Sequence, residues 1–167
     1  ALAYAIDKQV IQNQLYGGPE VFQVKGWYSV TPSTIGYSPE VDPFPLDPNK
    51  ARQLLAEAGY PGGKGFGSLV LNTYVSSAFP LLPESAQLAA DFWRRELGIA
   101  AEVKATDAAA LKKVSRLTED YYGQLVLKDN EARIDNSKNL RSNFGTPDAP
   151  ERDVAHNDPE LYAVAQK

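Results

Sequence analysis

The sequence predicts an α/β fold with a mostly parallel sheet flanked by helices. Three observations carry that prediction. Between residues 68 and 127, apolar strand-like runs alternate with helix-length stretches, the order of βαβ units with right-handed crossovers. The helical stretches carry their own start and stop residues. A proline-dense segment, 19–47, follows neither periodicity. At 167 residues, the chain has the length of one domain, or of two small ones, and enough to bury a core of its own.

Each element follows in order. Leu2, Ile6 and Val10 are spaced by four, as are Ile11 and Leu15, which predicts one helix face ending at Gly17-Gly18-Pro19. No N-cap precedes it, so its first turn is expected to lie upstream. Pro19, Pro32, Pro39, Pro43 and Pro45 exclude a long helix or central strand across 19–47. Trp27, Tyr28 and Tyr37 make that stretch an aromatic-rich irregular segment. Asp47-Pro48 opens a second helix, with the aspartate as N-cap and the proline at N1. Ala51, Leu54, Leu55 and Ala58 form its buried stripe, and Gly59 stops it with Tyr60 folding back. "SLVLNTY" (68–74) is a buried strand. A helix over 83–98 follows, with Pro83 near its start, Gly98 as its stop, and Leu88, Phe92 and Leu97 among its apolar positions. Trp93 suits either core or surface. "IAAEVKAT" (99–106) is the second strand, Asp107 caps a helix over 108–117, and "YGQLVL" (122–127) is the third strand. A polar stretch, 128–157, leads to a last helix opened by Asp158-Pro159.

Composition excludes several functions. There is no cysteine, so disulfides, thiolate metal sites and a cysteine nucleophile are ruled out. His156 is the only histidine, too few for a histidine-rich metal site. It follows no nucleophile motif, and Ser76-Ser77 have no histidine near them in sequence. A net charge of −4 argues against nucleic acid, which attracts a basic face. No run of 18 apolar residues is present. The opening "ALAYAID" has neither an initiator methionine nor a signal peptide, which reads as a piece of a longer protein.

The glycines of "AEAGYPGGKGFGSLVLNTY" (56–74) suggest a phosphate loop and fail the test. A Walker loop needs G-x-x-x-x-G-K-[ST], but Ala58 and Gly65 stand where glycine and a hydroxyl residue belong. A dinucleotide fingerprint from Gly63 and Gly65 meets Ser68 at its last position. The order is also wrong. Phosphate loops follow a strand and open a helix, where free N–H groups and the positive dipole end meet the anion. This loop follows a helix and enters a strand.

Four stretches resemble one known family. "ALAYAIDKQVIQNQLYGG" is similar to an R-x-A-x-x-x-A-I-D-[RK] helix. "LDPNKARQLLAEAGYPGGKGF" is similar to Y-D-P-x-K-A-[RK]-x-L-L-x-E-A-G-[YF] and the loop after it, the most specific of the four. "AQLAADFWRRELGIAAEVKATDAAAL" resembles a helix, an L-G-I turn, an alternating strand and an acidic helix opener. "HNDPELYAVAQK" resembles N-P-E-[VL]-D-x-L-I-x-x-A. These are patterns of the family 5 extracellular solute-binding proteins, the peptide- and nickel-type binding subunits of bacterial ABC importers. The resemblance spans nearly the whole chain. It implies a periplasmic-binding-protein type II lobe, residues 1–167 forming a single α/β lobe whose partner lobe lies outside the sequence. It also implies capture of a solute between two lobes, delivery to a membrane permease, no catalysis and no cofactor. The expected protein is a monomer, periplasmic or anchored outside the cell as a lipoprotein. An oligopeptide or dipeptide is the leading solute, with an oligosaccharide, nickel chelate or opine-like compound as alternatives. A nucleotide-dependent α/β enzyme is the remaining alternative.

Ligands of open α/β sheets lie beyond the carboxyl ends of the strands. After the first strand this places Tyr74, with Asn72, Ser76 and Phe79 beside it. After the third it places Lys128, Asp129, Glu131, Arg133 and Asp135, with Asn130 and Lys138 nearby. Carboxylates pair ammonium groups and arginine forks carboxylates, so this loop suits a polar or zwitterionic solute. In peptide-binding family members an aspartate in a G-W-x-x-D-Y-x-D-P pattern pairs the peptide amino terminus. The corresponding stretch, "LKDNEARIDNSKNLRSNFG", keeps L-x-S-x-F-G at its end but has no tryptophan and no Asp-Pro. Trp27 offers either a stacking wall, with Tyr28, or core.

Overall fold

The computed structural model describes residues 1–20, 31–115 and 124–128. The chain divides into two compact units. The first comprises Ala1–Val24, Asp42–Leu111 and Gly123–Asp129, and it holds the sheet. The second comprises Lys25–Val41, Lys112–Tyr122 and Asn130–Lys167.

The first unit opens differently from the single helix expected over Leu2–Leu15. A 3-10 turn covers Leu2–Ala5, and helix α1 begins only at Lys8 and runs to Leu15. The cause is Asp7, whose carboxylate accepts from the backbone N–H groups of Gln9 and Val10, both at 3.0 Å. An aspartate that satisfies two N–H groups left free at a helix start makes an N-cap more favourable than another helical turn. Replacing Asp7 by alanine is expected to cost about 1 kcal/mol, read as a lower urea midpoint at unchanged slope.

Helix α2, Pro48–Glu57, starts as its sequence specifies, with Asp47 accepting from Lys50 N–H at 2.9 Å. Its end also follows expectation: Tyr60 N–H reaches Leu55 O at 3.0 Å and Gly59 N–H reaches Ala56 O at 2.9 Å, the paired bonds of a Schellman motif. The glycine loop then makes a short 3-10 turn, Pro61–Gly63, and Tyr60 meets Phe66 edge-on at 5.1 Å.

Among the described residues, strand β1, Ser68–Val75, is the middle strand of a three-stranded sheet. On one side it pairs in parallel with β2, Ala100–Asp107, in the register Ser68↔Ala100 through Val75↔Asp107. On the other it pairs in parallel with β3, Leu125–Val126, in the register Leu71↔Leu125 and Asn72↔Val126. The predicted strand at 122–127 thus contracts to two residues among those described. Helix α3, Leu82–Leu97, connects β1 to β2. Helix α4, Ala108–Ser115, follows β2, and Asp107 caps it by accepting from Ala109 N–H and Ala110 N–H at 2.9 and 3.0 Å.

Alternation along β1 builds the core. Leu69 and Leu71 face Leu55 of α2, Ala86, Ala89, Trp93 and Leu97 of α3, and Ile99 before β2. Trp93 belongs to this core at 4% exposure, and its indole Nε1–H donates to Leu2 O at 3.0 Å. Sequence spacing left that residue open; its contact with the N-terminal turn decides it. The outer strand β2 keeps Ala101 and Val103 half-buried and leaves Glu102 and Lys104 exposed.

Outside the core, Glu96 binds Arg95 Nε at 2.8 Å and Arg52 Nη1 at 3.0 Å, tying the end of α3 to α2. The Arg95 hydrogen bond, helped by Arg52 and opposed by desolvation, holds the Glu96 carboxyl below its ordinary range. Its contribution to stability is therefore present above the ordinary carboxylate pKa and lost as pH falls through the depressed value.

In the second unit, residues 31–41 form successive turns. Thr34 N–H bonds Thr31 O at 2.8 Å, Tyr37 N–H bonds Thr34 O at 3.1 Å, and Val41 N–H bonds Ser38 O at 3.2 Å. Thr34 Oγ1 accepts from Thr31 N–H at 3.1 Å. The irregular reading of the proline-dense segment holds for its described part, which contains no helix or strand.

Candidate functional site

The three described strands are parallel, so they put their carboxyl ends on one edge of the sheet. Side chains there are set by the strand register. Tyr74 lies two residues beyond the Asn72–Val126 pair on β1, and Lys128 lies two residues beyond it on the other side. That register puts both predicted positions at the same edge of the sheet. Tyr74 is buried at 3% exposure, whereas Lys128 is exposed. Asp129, Glu131, Arg133, Asp135 and Trp27 lie outside the described residues.

The neighbouring candidates divide by contact. Asn72 points into the structure: it is 5% exposed, and its Nδ2 donates to Gln124 Oε1 at 2.8 Å and to Leu125 O at 3.3 Å. Ser76 Oγ accepts from Ala78 N–H at 3.2 Å and closes the turn after β1. Val75 and Phe79 present apolar surface in that turn, at 66% and 46% exposure. Asp107, on the edge beside Val75, has its carboxylate engaged by the α4 N-cap. Sequence reasoning missed Gln124, the partner of Asn72. A polar residue preceding a short apolar run gives no periodic signal, so nothing local marks it.

The glycine loop is confirmed as a structural connection. A Cβ on Gly63 would sit 2.7 Å from both Leu97 O and Gly98 O, so the loop packs on the carbonyl end of α3. Carbonyl oxygens and the negative dipole end repel phosphate. A shallow groove along α2, lined by Asp47, Asn49, Lys50, Gln53 and Leu54, is polar and lies on a helix flank. There, Lys50 Nζ stands 4.3 Å from the Tyr4 ring centroid, and the hydrogen bond to Tyr4 raises its pKa above the ordinary lysine value. Among the described residues, no group of three or more His, Cys, Asp or Glu side chains could hold a metal ion.

This edge is the face on which open α/β sheets bind ligands. The family model for bacterial extracellular solute-binding proteins, family 5 Middle, matches residues 1–149. This chain belongs to that family. Among individual proteins, it is 43% identical over 63 residues to the heme-binding protein A of Haemophilus influenzae, covering 38% of this chain and 11% of that protein. It is 34% identical over 111 residues to the glutathione-binding protein GsiB of Escherichia coli strain K12, covering 65% of this chain and 19% of that protein. The crystal structure of the ABC transporter substrate binding protein CtaP of Listeria monocytogenes superposes with a TM-score of 0.74 at 24% identity, covering 99% of this chain and 32% of that one. The family 5 chain therefore spans less than a fifth of these curated relatives and about a third of the solved structure. Its fold is that of the type II periplasmic binding proteins, a parallel sheet with flanking helices. The relatives are solute-binding proteins rather than enzymes.

Proposed function

We propose that residues 1–167 form one lobe of the solute-binding component of an ABC importer. In this reading the lobe encloses an oligopeptide or dipeptide against a second lobe and presents it to a membrane permease. The observation that carries the reading is the family match over residues 1–149; the positions of Tyr74 and Lys128, just past the last strand pair at the carboxyl edge of the sheet, support their part in it. Asp129, Glu131, Arg133 and Asp135 continue the chain from Lys128 and supply both signs of charge for a zwitterion. Trp27 adds an aromatic wall. The solute favours the closed state because only closure gives it contacts with both lobes. No covalent step is involved, so the role needs neither a catalytic residue nor a cofactor. The protein acts as a monomer outside the cytoplasmic membrane, periplasmic or held as a lipoprotein, and its net charge of −4 disfavours nucleic acid as a partner.

A second reading, a non-peptide solute, is favoured by one observation. The stretch after the third strand lacks the tryptophan and Asp-Pro of the peptide-binding pattern. The names of the relatives, one heme-binding and one glutathione-binding, fit a scaffold that accepts different solutes.

Thermal unfolding of the whole protein with glutathione, an alanine tripeptide, heme, an oligosaccharide and ATP separates these readings. A peptide at a hundred times its dissociation constant should add about 2.7 kcal/mol, a rise of several degrees, and Lys128→Ala should reduce that rise. A rise with heme or the oligosaccharide alone would select the second reading. A rise with ATP alone would reject both.

A further inference from the structure

Asn72 is a buried amide in the middle strand, between Val70 and Tyr74 on the same face of β1. An apolar side chain would pack there at lower desolvation cost, since a buried polar group costs free energy unless it is hydrogen-bonded. The amide is hydrogen-bonded, and its partners share one location. Its Nδ2 donates to Gln124 Oε1 and to Leu125 O, while its backbone carbonyl accepts from Leu127 N–H at 2.8 Å. The side-chain amide thus holds Gln124 and Leu125, next to the backbone bond that holds Leu127, immediately before Lys128.

That concentration matters because β3 is only two residues long. So short a ladder specifies its register weakly, and a slip by one residue moves the chain about 3.3 Å and turns each side chain to the opposite face. Fixing register is the best-attested use of a buried polar group. We propose that Asn72 is a positioning residue for the ligand face, setting where and in which direction the chain leaves the sheet at Lys128. This rests on the reading of Lys128 as part of that face. Leu125 and Leu127 pack partly against the core and set the depth of the segment. Asn72 sets its position along the strand.

The test exploits the absence of cysteine in this chain. Nitroxide labels are placed at Lys128→Cys and at Gln87→Cys on the exposed face of α3, and their separation is measured by double electron–electron resonance without ligand. A folded protein with intact Asn72 should give a narrow distribution. Asn72→Ala should broaden it about twofold or move its mean by about 3 Å, the step of one residue along a strand. Gln124→Ala, which removes one side-chain partner, should give a smaller broadening and serves as the readout if Asn72→Ala does not fold. Circular dichroism confirms that each variant is folded. A purely stabilising role for Asn72 would leave the distance unchanged in folded protein, and unchanged distributions in the folded variants would overturn the proposal. No ligand is present, so this outcome is independent of the solute reading.

Discussion

Replacing Gly63 by alanine is expected to lower the unfolding free energy by about 2–5 kcal/mol, the sum of a left-handed backbone penalty and backbone overpacking. Gly63 has φ of 78°, and an added Cβ would lie 2.7 Å from two carbonyl oxygens at the end of α3. Neither neighbour is a flexible side chain, so relief requires the loop to separate from the helix. Gly98 answers from the other side: its φ is 69°, and a Cβ there would lie 2.5 Å from Gly62 O. Gly65 supplies the control, with φ of 77° and nothing within 4 Å of its added Cβ. Gly65→Ala should cost only about 1–2 kcal/mol, from backbone strain alone. Urea midpoints of the two variants measure the difference. Equal losses would show that the contact between loop and helix contributes nothing.

Trp93→Ala should cost about 3–5 kcal/mol, the range for deleting a large aromatic side chain from a packed core. The ring touches elements that are far apart in sequence, and its indole bond to Leu2 O joins α3 to the N-terminal turn. Trp93→Phe separates the two contributions. It keeps most of the apolar volume but leaves the Leu2 carbonyl without its indole partner, for a loss of about 1–3 kcal/mol. Equilibrium unfolding followed by far-ultraviolet circular dichroism reads both variants without depending on tryptophan fluorescence. A Trp93→Phe protein as stable as the parent would mean that the hydrogen bond is dispensable.

These two sites mark the limit of what the sequence made legible. The caps at Asp47 and Asp107 and the helix stop at Gly98 were readable because each is decided within four residues of chain. The parallel order of the strands followed from their alternation with helices. Asp7 was missed because the four-residue spacing of Leu2, Ile6 and Val10 suggested continuity, whereas a carboxylate with two free N–H groups in reach ended it. The meeting of Gly63 with Gly98 and of Trp93 with Leu2 joins residues far apart in sequence, and periodicity holds no information about such contacts. At the candidate site, the strand ends were predictable from the fold class, and Tyr74 and Lys128 lie at that edge. Asn72, first read as a ligand contact, is engaged by Gln124 and Leu125. The polar run after Lys128 has no period and no turn signature that would assign a face to any one charge.

The role proposed for the whole protein is capture of a solute rather than catalysis. Native mass spectrometry of the whole protein, purified without denaturation and followed by identification of the small molecules released from it, tests that claim most directly. The account predicts a protein carrying one equivalent of a peptide or other polar solute, released unchanged on unfolding. A protein that carries no solute, and that converts an added peptide or nucleotide into a product of different mass, would contradict it.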